Sequence, residues 1–162
     1  MNSIIMRYLS LYLIILIVFV ISCTPPGYIR TRHLVFYEDK RDEILETAKK
    51  YIGVKYEEKG TSPDGFDCSG FTLYIYKKNG FNIPRKASSQ YNAGKRINLK
   101  SAKPGDLVFF NVKGNNVSHV GIYAGNNEFI HSPSAGKSVS FASINNPYWK
   151  KRYVGAITYF AN

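Results

Sequence analysis

Between Leu107 and Phe160 the chain is cut into short apolar runs by glycine and asparagine, and that pattern admits few folds. Leu107-Val108-Phe109-Phe110 is continuous and apolar, as a buried strand requires. Gly114-Asn115-Asn116 turns the chain. Val117 to Ala124 reads as the next strand, Gly125-Asn126-Asn127 as a hairpin loop, and Glu128 to His131 as its return. Ser138 to Ala142 and Tyr153 to Phe160 supply two more strands. Links this short join antiparallel neighbours, because parallel strands need a long crossover.

The first half has a helical period instead. Ile44, Ala48 and Ile52 recur at four-residue spacing, so a helix is expected over 39–52. Asp39, Asp42 and Glu43 stand at its start, Lys49 and Lys50 at its end, and Gly53 as its stop. Phe71 to Lys78 reads as a second helix, ended by Asn79-Gly80. Ile83-Pro84 marks a turn, after which Ser88 is placed to cap a short helix through Tyr91 and Ala93. Helices first and strands second give an α+β domain over 39–162, its N-terminal helices packed on an antiparallel sheet of about five strands.

The N-terminus has a different composition. Tyr8 to Ile21 is an almost unbroken apolar run of 14 residues, short of the about 20 that a membrane span needs. It fits the apolar region of a signal peptide covering residues 1–22; a short uncleaved anchor is the alternative. The run ends Val20-Ile21-Ser22-Cys23, which resembles the lipobox of bacterial lipoproteins. That resemblance implies cleavage before Cys23 and a diacylglyceryl group on its thiol. Thr24 then carries no inner-membrane retention signal, so the expected address is the cell envelope, at the outer membrane facing the periplasm where the cell has one. Residues 23–38, with Pro25-Pro26-Gly27 and no helical period, read as a tether. His33 is a solvated residue of that tether.

The chain has two cysteines. If Cys23 carries lipid, Cys68 has no partner, and an unpaired thiol in an exported protein is a candidate reactive group. A Cys23–Cys68 disulfide is the competing possibility. The formal charge of +11 falls to +10 when residues 1–22, with their one Arg, are removed. Such a field favours polyanions, and an exported chain meets anionic lipid and cell-wall polymers rather than nucleic acid.

Asp67-Cys68-Ser69-Gly70 is the one stretch whose local context suits a nucleophile. Pro63-Asp64-Gly65 turns the chain ahead of it, and Asp67 is placed to cap the helix that follows. Cys68 therefore falls in the first turn, where unpaired N–H groups and the helix dipole favour a thiolate. His119 and His131 lie six residues before and six after Gly125. A three-residue loop, or a two-residue turn with a bulge, puts both imidazoles on one face of the hairpin. A plain two-residue turn puts them on opposite faces. On one face, His119 can take the Cys68 proton and hold an ion pair with it, while His131 fixes the tautomer of His119. Tyr56 is a candidate oxyanion donor beside the backbone N–H groups at the helix start. Zinc bound by Cys68, His119 and His131 is a competing use of the same residues, and a buried thiol with two structural histidines is the non-catalytic one.

Several separated blocks carry a family resemblance. They are Tyr56, Thr61-Ser62-Pro63-Asp64-Gly65-Phe66-Asp67-Cys68-Ser69-Gly70-Phe71, Pro104-Gly105-Asp106-Leu107-Val108-Phe109-Phe110, Ser118-His119-Val120-Gly121-Ile122-Tyr123, and Phe129-Ile130-His131. Tyr148-Trp149 and Arg152-Tyr153-Val154-Gly155-Ala156 continue the match. Together they resemble the NlpC family of bacterial cell-wall cysteine peptidases. The resemblance implies a papain-like fold and cleavage of peptidoglycan stem peptides, typically between γ-D-glutamate and a diamino acid. It makes Cys68 the nucleophile, His119 the base and His131 the third member. Asp67 and Ser69 match positions that can receive the amino end of the stem peptide. Two departures fall near a subsite: Lys59-Gly60 replaces a frequent pair of glycines, and Glu57 and Glu58 stand where many relatives are apolar or aromatic. The expected protein is a monomeric, lipid-anchored hydrolase that uses no metal or cofactor. A wall-binding lipoprotein without activity, or an acyl or amide transferase with the same triad, is the alternative.

Overall fold

The structure, a computed structural model, describes residues 27–114 and 116–160, with side chains from Tyr37 onward. The signal peptide at 1–22 and the lipidation site Cys23 lie outside the described residues. The chain divides into two units, Met1–Phe36 and Tyr37–Asn162, and the side-chain packing and the site described below belong to the second. Among the described residues no helix is long and apolar enough to cross a membrane.

The first helix, α1, runs Gly27–Lys49. It begins well before the expected start at residue 39, because nothing between Pro26 and Lys49 breaks a helix even though residues 27–38 lack an apolar stripe. It also stops before Ile52, which is 43 % exposed rather than part of the core face. Ile44 and Ala48 do point inward. Arg41 anchors the helix from the same side: its guanidinium donates to Asp106 Oδ1 at 2.7 Å and to Thr158 Oγ1 at 3.0 Å. The chain then passes a hairpin of two short strands, β1 (Thr61–Ser62) and β2 (Gly65–Phe66), and enters α2 (Cys68–Lys78). Asn79 caps the C-terminus of α2, and Gly80 follows with φ +86°. The short helix α3 covers Ala87–Ala93, with Lys86 rather than Ser88 at its cap and no side-chain cap bond.

Among the described residues the sheet has six strands, all antiparallel, one more than the expected five or so. They are β3 (Lys95–Ile97), β4 (Leu107–Phe110), β5 (His119–Gly125), β6 (Glu128–His131), β7 (Ser140–Ser143) and β8 (Tyr153–Thr158). Their spatial order is β3-β8-β4-β5-β6-β7. The extra strand, β3, is three residues long and two of them are basic, so it has no apolar alternation to reveal it. Its pairing with β8, Lys95 opposite Thr158, defines it. Every residue of the central β4 is buried. Leu107 and Phe109 face the cluster built with Ile44, Phe71 and Ile75 of the helices. Val108 and Phe110 face a second cluster with Tyr123, Phe129 and Trp149, the last from the single-turn helix α4 (Pro147–Lys150). Burying a large apolar side chain contributes about 1.5–3 kcal/mol, so two-sided packing at β4 fixes the register of its neighbours.

The β5–β6 hairpin decides where the histidines go. Tyr123 pairs with Phe129, but Gly125 pairs with Glu128, so a bulge lies between Tyr123 and Gly125. Asn126 and Asn127 form a two-residue turn with φ of +52° and +61°, a conformation asparagine tolerates better than most residues. The bulge supplies the extra residue that a plain turn lacks, and His119 and His131 share a face.

Candidate active site

Cys68 opens α2, and Asp67 caps it: the Gly70 N–H donates to Asp67 Oδ1 at 2.6 Å. The turn is placed by close backbone packing. A Cβ on Gly70 would sit 2.0 Å from Gly60 O, so glycine is required where the helix start meets the preceding loop. The Cys68 thiol is free. The Cys68 thiol donates to Ser118 O at 4.0 Å, and the Val120 N–H also acts on the sulfur. The backbone on either side of His119 therefore brackets Sγ.

The imidazoles meet behind this strand. His119 Nε2 and His131 Nδ1 are 2.8 Å apart, which leaves Nδ1 of His119 as its uncommitted ring nitrogen. Trp149 stacks on His119 with centroids 5.2 Å apart and stands perpendicular to His131 at 4.9 Å. Phe129 lies beside His131 at 4.9 Å, in space kept open by Gly121, where a Cβ would come within 2.4 Å of the Phe129 ring. Burial in this aromatic box lowers His119 to about 4 and, with the neighbouring His119 adding to the effect, His131 to about 2.

Burial works against the expected resting ion pair. Burial pushes the Cys68 thiol up, the Asp67 carboxylate adds to it, and the N–H groups of Val120, Ser69 and Cys68 oppose it without prevailing. Desolvation outweighs the helix dipole here. Among the described residues the thiol hydrogen-bonds to Ser118 O and not to His119. The shifts of the thiol and of both imidazoles run against a resting ion pair.

In front of Cys68 lies a cavity of about 560 Å³ lined by Asp67, Ser69, Lys59, Arg85, Lys86 and Ser118, among others. Arg85 binds Asp67 through both terminal nitrogens, with Nη1 to Oδ1 at 3.0 Å, and also donates to Ser69 Oγ at 2.8 Å. Asp67 Oδ1 thus serves the cap, Ser69 and Arg85, while Oδ2 takes only Arg85. Oδ2 keeps one acceptor position for a further donor. Tyr56 stands close enough to Cys68 and Asp67 to sense both: burial chiefly, and then those two charges, raise its phenol. Among the described residues no three His, Cys, Asp or Glu side chains form a metal-holding group.

The match to known proteins agrees with this geometry. The model of the NlpC/P60 family matches residues 53–158. The chain belongs to the NlpC/P60 family. It is 41 % identical over 121 residues to the gamma-D-glutamyl-L-lysine dipeptidyl-peptidase of Bacillus cereus, covering 73 % of this chain and 36 % of that protein. It is 38 % identical over 122 residues to the murein DD-endopeptidase MepS/murein LD-carboxypeptidase of Escherichia coli K12, covering 75 % and 64 %. A crystal structure of an NlpC/P60 family protein from Bacillus cereus superposes with a TM-score of 0.72 at 39 % identity, covering 75 % of this chain and 40 % of that one. The chain spans between about a third and two thirds of the length of these relatives.

Against this NlpC/P60 frame the sequence reading found Tyr56, Asp67, Cys68, Ser69, His119 and His131, and all six fall around one site. It assigned no role to Arg85, Trp149 or Lys59. Trp149 had two signals available, as the only tryptophan of the chain and as part of the matching Tyr148-Trp149 block. Arg85 had none, since its partner Asp67 is 18 residues away and the pairing exists only once the fold is formed.

Proposed function

We propose that this NlpC/P60 chain is a peptidoglycan hydrolase, a cysteine endopeptidase that opens the bond between γ-D-glutamate and the following diamino acid of a stem peptide. The observation that carries the reading is the 2.8 Å bond between His119 and His131, set behind a free thiol at a helix start. In the tautomer this chemistry needs, His119 Nε2–H donates to His131 Nδ1, and His119 Nδ1 presents a lone pair. Sγ bonds to the carbonyl carbon as the thiol proton passes to Nδ1. The displaced π pair becomes an oxyanion, held by N–H groups at the start of α2 and by the Tyr56 phenol. The C–N bond then breaks, and the amine leaves with the proton from His119. Water adds to the thioester with His119 as base, freeing a carboxylate and restoring the thiol.

The choice of bond is supported by the open acceptor position on Asp67 Oδ2, which suits a free amino group one residue ahead of γ-D-glutamate. The name of the Bacillus cereus relative, a gamma-D-glutamyl-L-lysine dipeptidyl-peptidase, favours the same linkage. The test is mass spectrometry of fragments released from a defined peptidoglycan. The parent is expected to yield fragments ending in γ-D-glutamate, and Cys68→Ala, correctly folded, to yield none. Equal digestion by the two proteins would overturn the hydrolase reading.

We also propose that the chain is exported and lipid-anchored through Cys23. The apolar run and the lipobox-like Val20-Ile21-Ser22-Cys23 support this. The intact mass of the mature protein is expected to match cleavage before Cys23 with a diacylglyceryl group added; a mass that retains residues 1–22 would overturn it.

A further inference from the structure

The pocket in front of Cys68 carries more positive charge than its contacts use. Arg85 and Asp67 neutralise each other in a two-point ion pair. Lys59 and Lys86 also line the cavity, and among the described residues neither makes an ion pair. Glu57 and Glu58, the chain neighbours of Lys59, are outside ion-pair distance of it.

Lys59 also holds a conformation that its side chain disfavours. Its φ is +62°, in the left-handed region that glycine occupies at no cost. Glycine would serve the same turn, which the Gly60 N–H closes onto Glu57 O at 3.0 Å, without that cost, so the outlier points to the lysine side chain. The backbone beside it is firmly placed. Gly60 O accepts the Asp67 N–H at 3.1 Å and lies against Gly70 in the first turn of α2. Lys59 is therefore tied to the segment that carries the nucleophile.

We infer that Lys59 is a specificity residue, which receives a substrate carboxylate beside Cys68 and so selects stem peptides whose γ-D-glutamyl residue is free over those in which it is amidated. This rests on the proposed hydrolase function. In a γ-linked glutamate the reacting carbonyl and the free α-carboxylate belong to one residue, so this carboxylate enters the pocket with the scissile bond. Amidation removes its charge and leaves the Lys59 ammonium unpaired in the complex. Asp67 and Lys59 then divide the labour: one takes the amino end of the substrate, and the other takes its acid.

The experiment compares kcat/KM for two soluble peptides that differ only in carboxylate or carboxamide at the α position of γ-D-glutamate. Wild type is expected to prefer the carboxylate by about fivefold, the scale of a partly solvated ion pair. Lys59→Gly is expected to bring the ratio close to one, and Lys59→Glu to reverse it. Because Lys59→Gly relieves a positive φ, its melting temperature should equal or exceed that of wild type, which separates lost selectivity from misfolding. A wild type that cleaves both peptides equally, or a ratio that both substitutions leave in place, overturns this inference alone. Cleavage of neither peptide by wild type overturns the hydrolase reading, and this inference with it.

Discussion

On one side of Cys68, His119 and His131 are 4 % and 3 % exposed among Trp149, Phe129 and Phe110. On the other, Asp67, Arg85, Lys59 and Lys86 line an open cavity. The two regions use opposite physics within one site. The aromatic box has no formal charge, and desolvation sets the protonation of its imidazoles. The pocket is built from charges, and it offers a peptide both an acceptor and ammonium groups. A base lowered to about 4 by burial is neutral near pH 7. Chemistry and recognition can therefore be perturbed separately.

The sharpest way to break the dry region is to remove an imidazole. His119→Ala is expected to lower kcat/KM by about 10⁴-fold, and His131→Ala by about 10²-fold through loss of the tautomer that exposes Nδ1. The double variant should be no worse than His119→Ala alone, because the two rings act as one unit. His131→Asn, which keeps a hydrogen-bond acceptor, should recover part of the loss. Initial rates on a γ-D-glutamyl peptide check all four, and a fully active His131→Ala would remove the paired rings from the mechanism.

Acid should unfold the dry region. An unfolded histidine titrates near 6.5, whereas His119 and His131 in the fold are lowered to about 4 and about 2. Between those values the unfolded chain binds the extra protons. The stability that the neutral rings contribute is thus complete above pH 6.5 and is lost as pH falls towards their folded values. For His119 alone the loss is on the order of 3 kcal/mol, a large part of a typical domain's stability. Melting temperature measured from pH 7 to pH 4 should fall steeply, and His131→Gln should flatten that fall.

The contrast between the regions also marks what could be read from residue order. The buried strand Leu107–Phe110 and the capped start of α2 are local patterns, and both form as expected. The hairpin was legible down to a choice. Gly125-Asn126-Asn127 announces a turn, but the bulge beside it depends on how both strands pack, which no short window contains. Three features needed the folded chain. Strand β3 exists through its pairing with β8. Arg85 earns its role through Asp67, far away in sequence. The upward shift of the Cys68 thiol follows from depth: the sequence shows the helix start, which favours thiolate, but not the burial that opposes it.

Trp149 joins the two scales, because it is the lid of the dry region and belongs to neither the thiol nor the charges. Its ring lies over His119 at 29° to the imidazole plane, held there by the turn in which the Tyr148 N–H donates to Asn146 Oδ1 at 2.9 Å. Trp149→Leu admits water to that face and weakens the desolvation that keeps His119 at about 4. The acid limb of kcat/KM should then move from near pH 4 up towards 6.5. At pH 5 this lowers the rate by as much as about 30-fold, while at pH 8, where the ring is neutral in either protein, the change should be much smaller. Lost packing alone predicts a uniform decrease at every pH. Trp149→Phe, which keeps an aromatic face over the imidazole, should fall between the two. A limb that stays near pH 4 in Trp149→Leu would mean that Phe110 and Phe129 suffice to keep the imidazole dry.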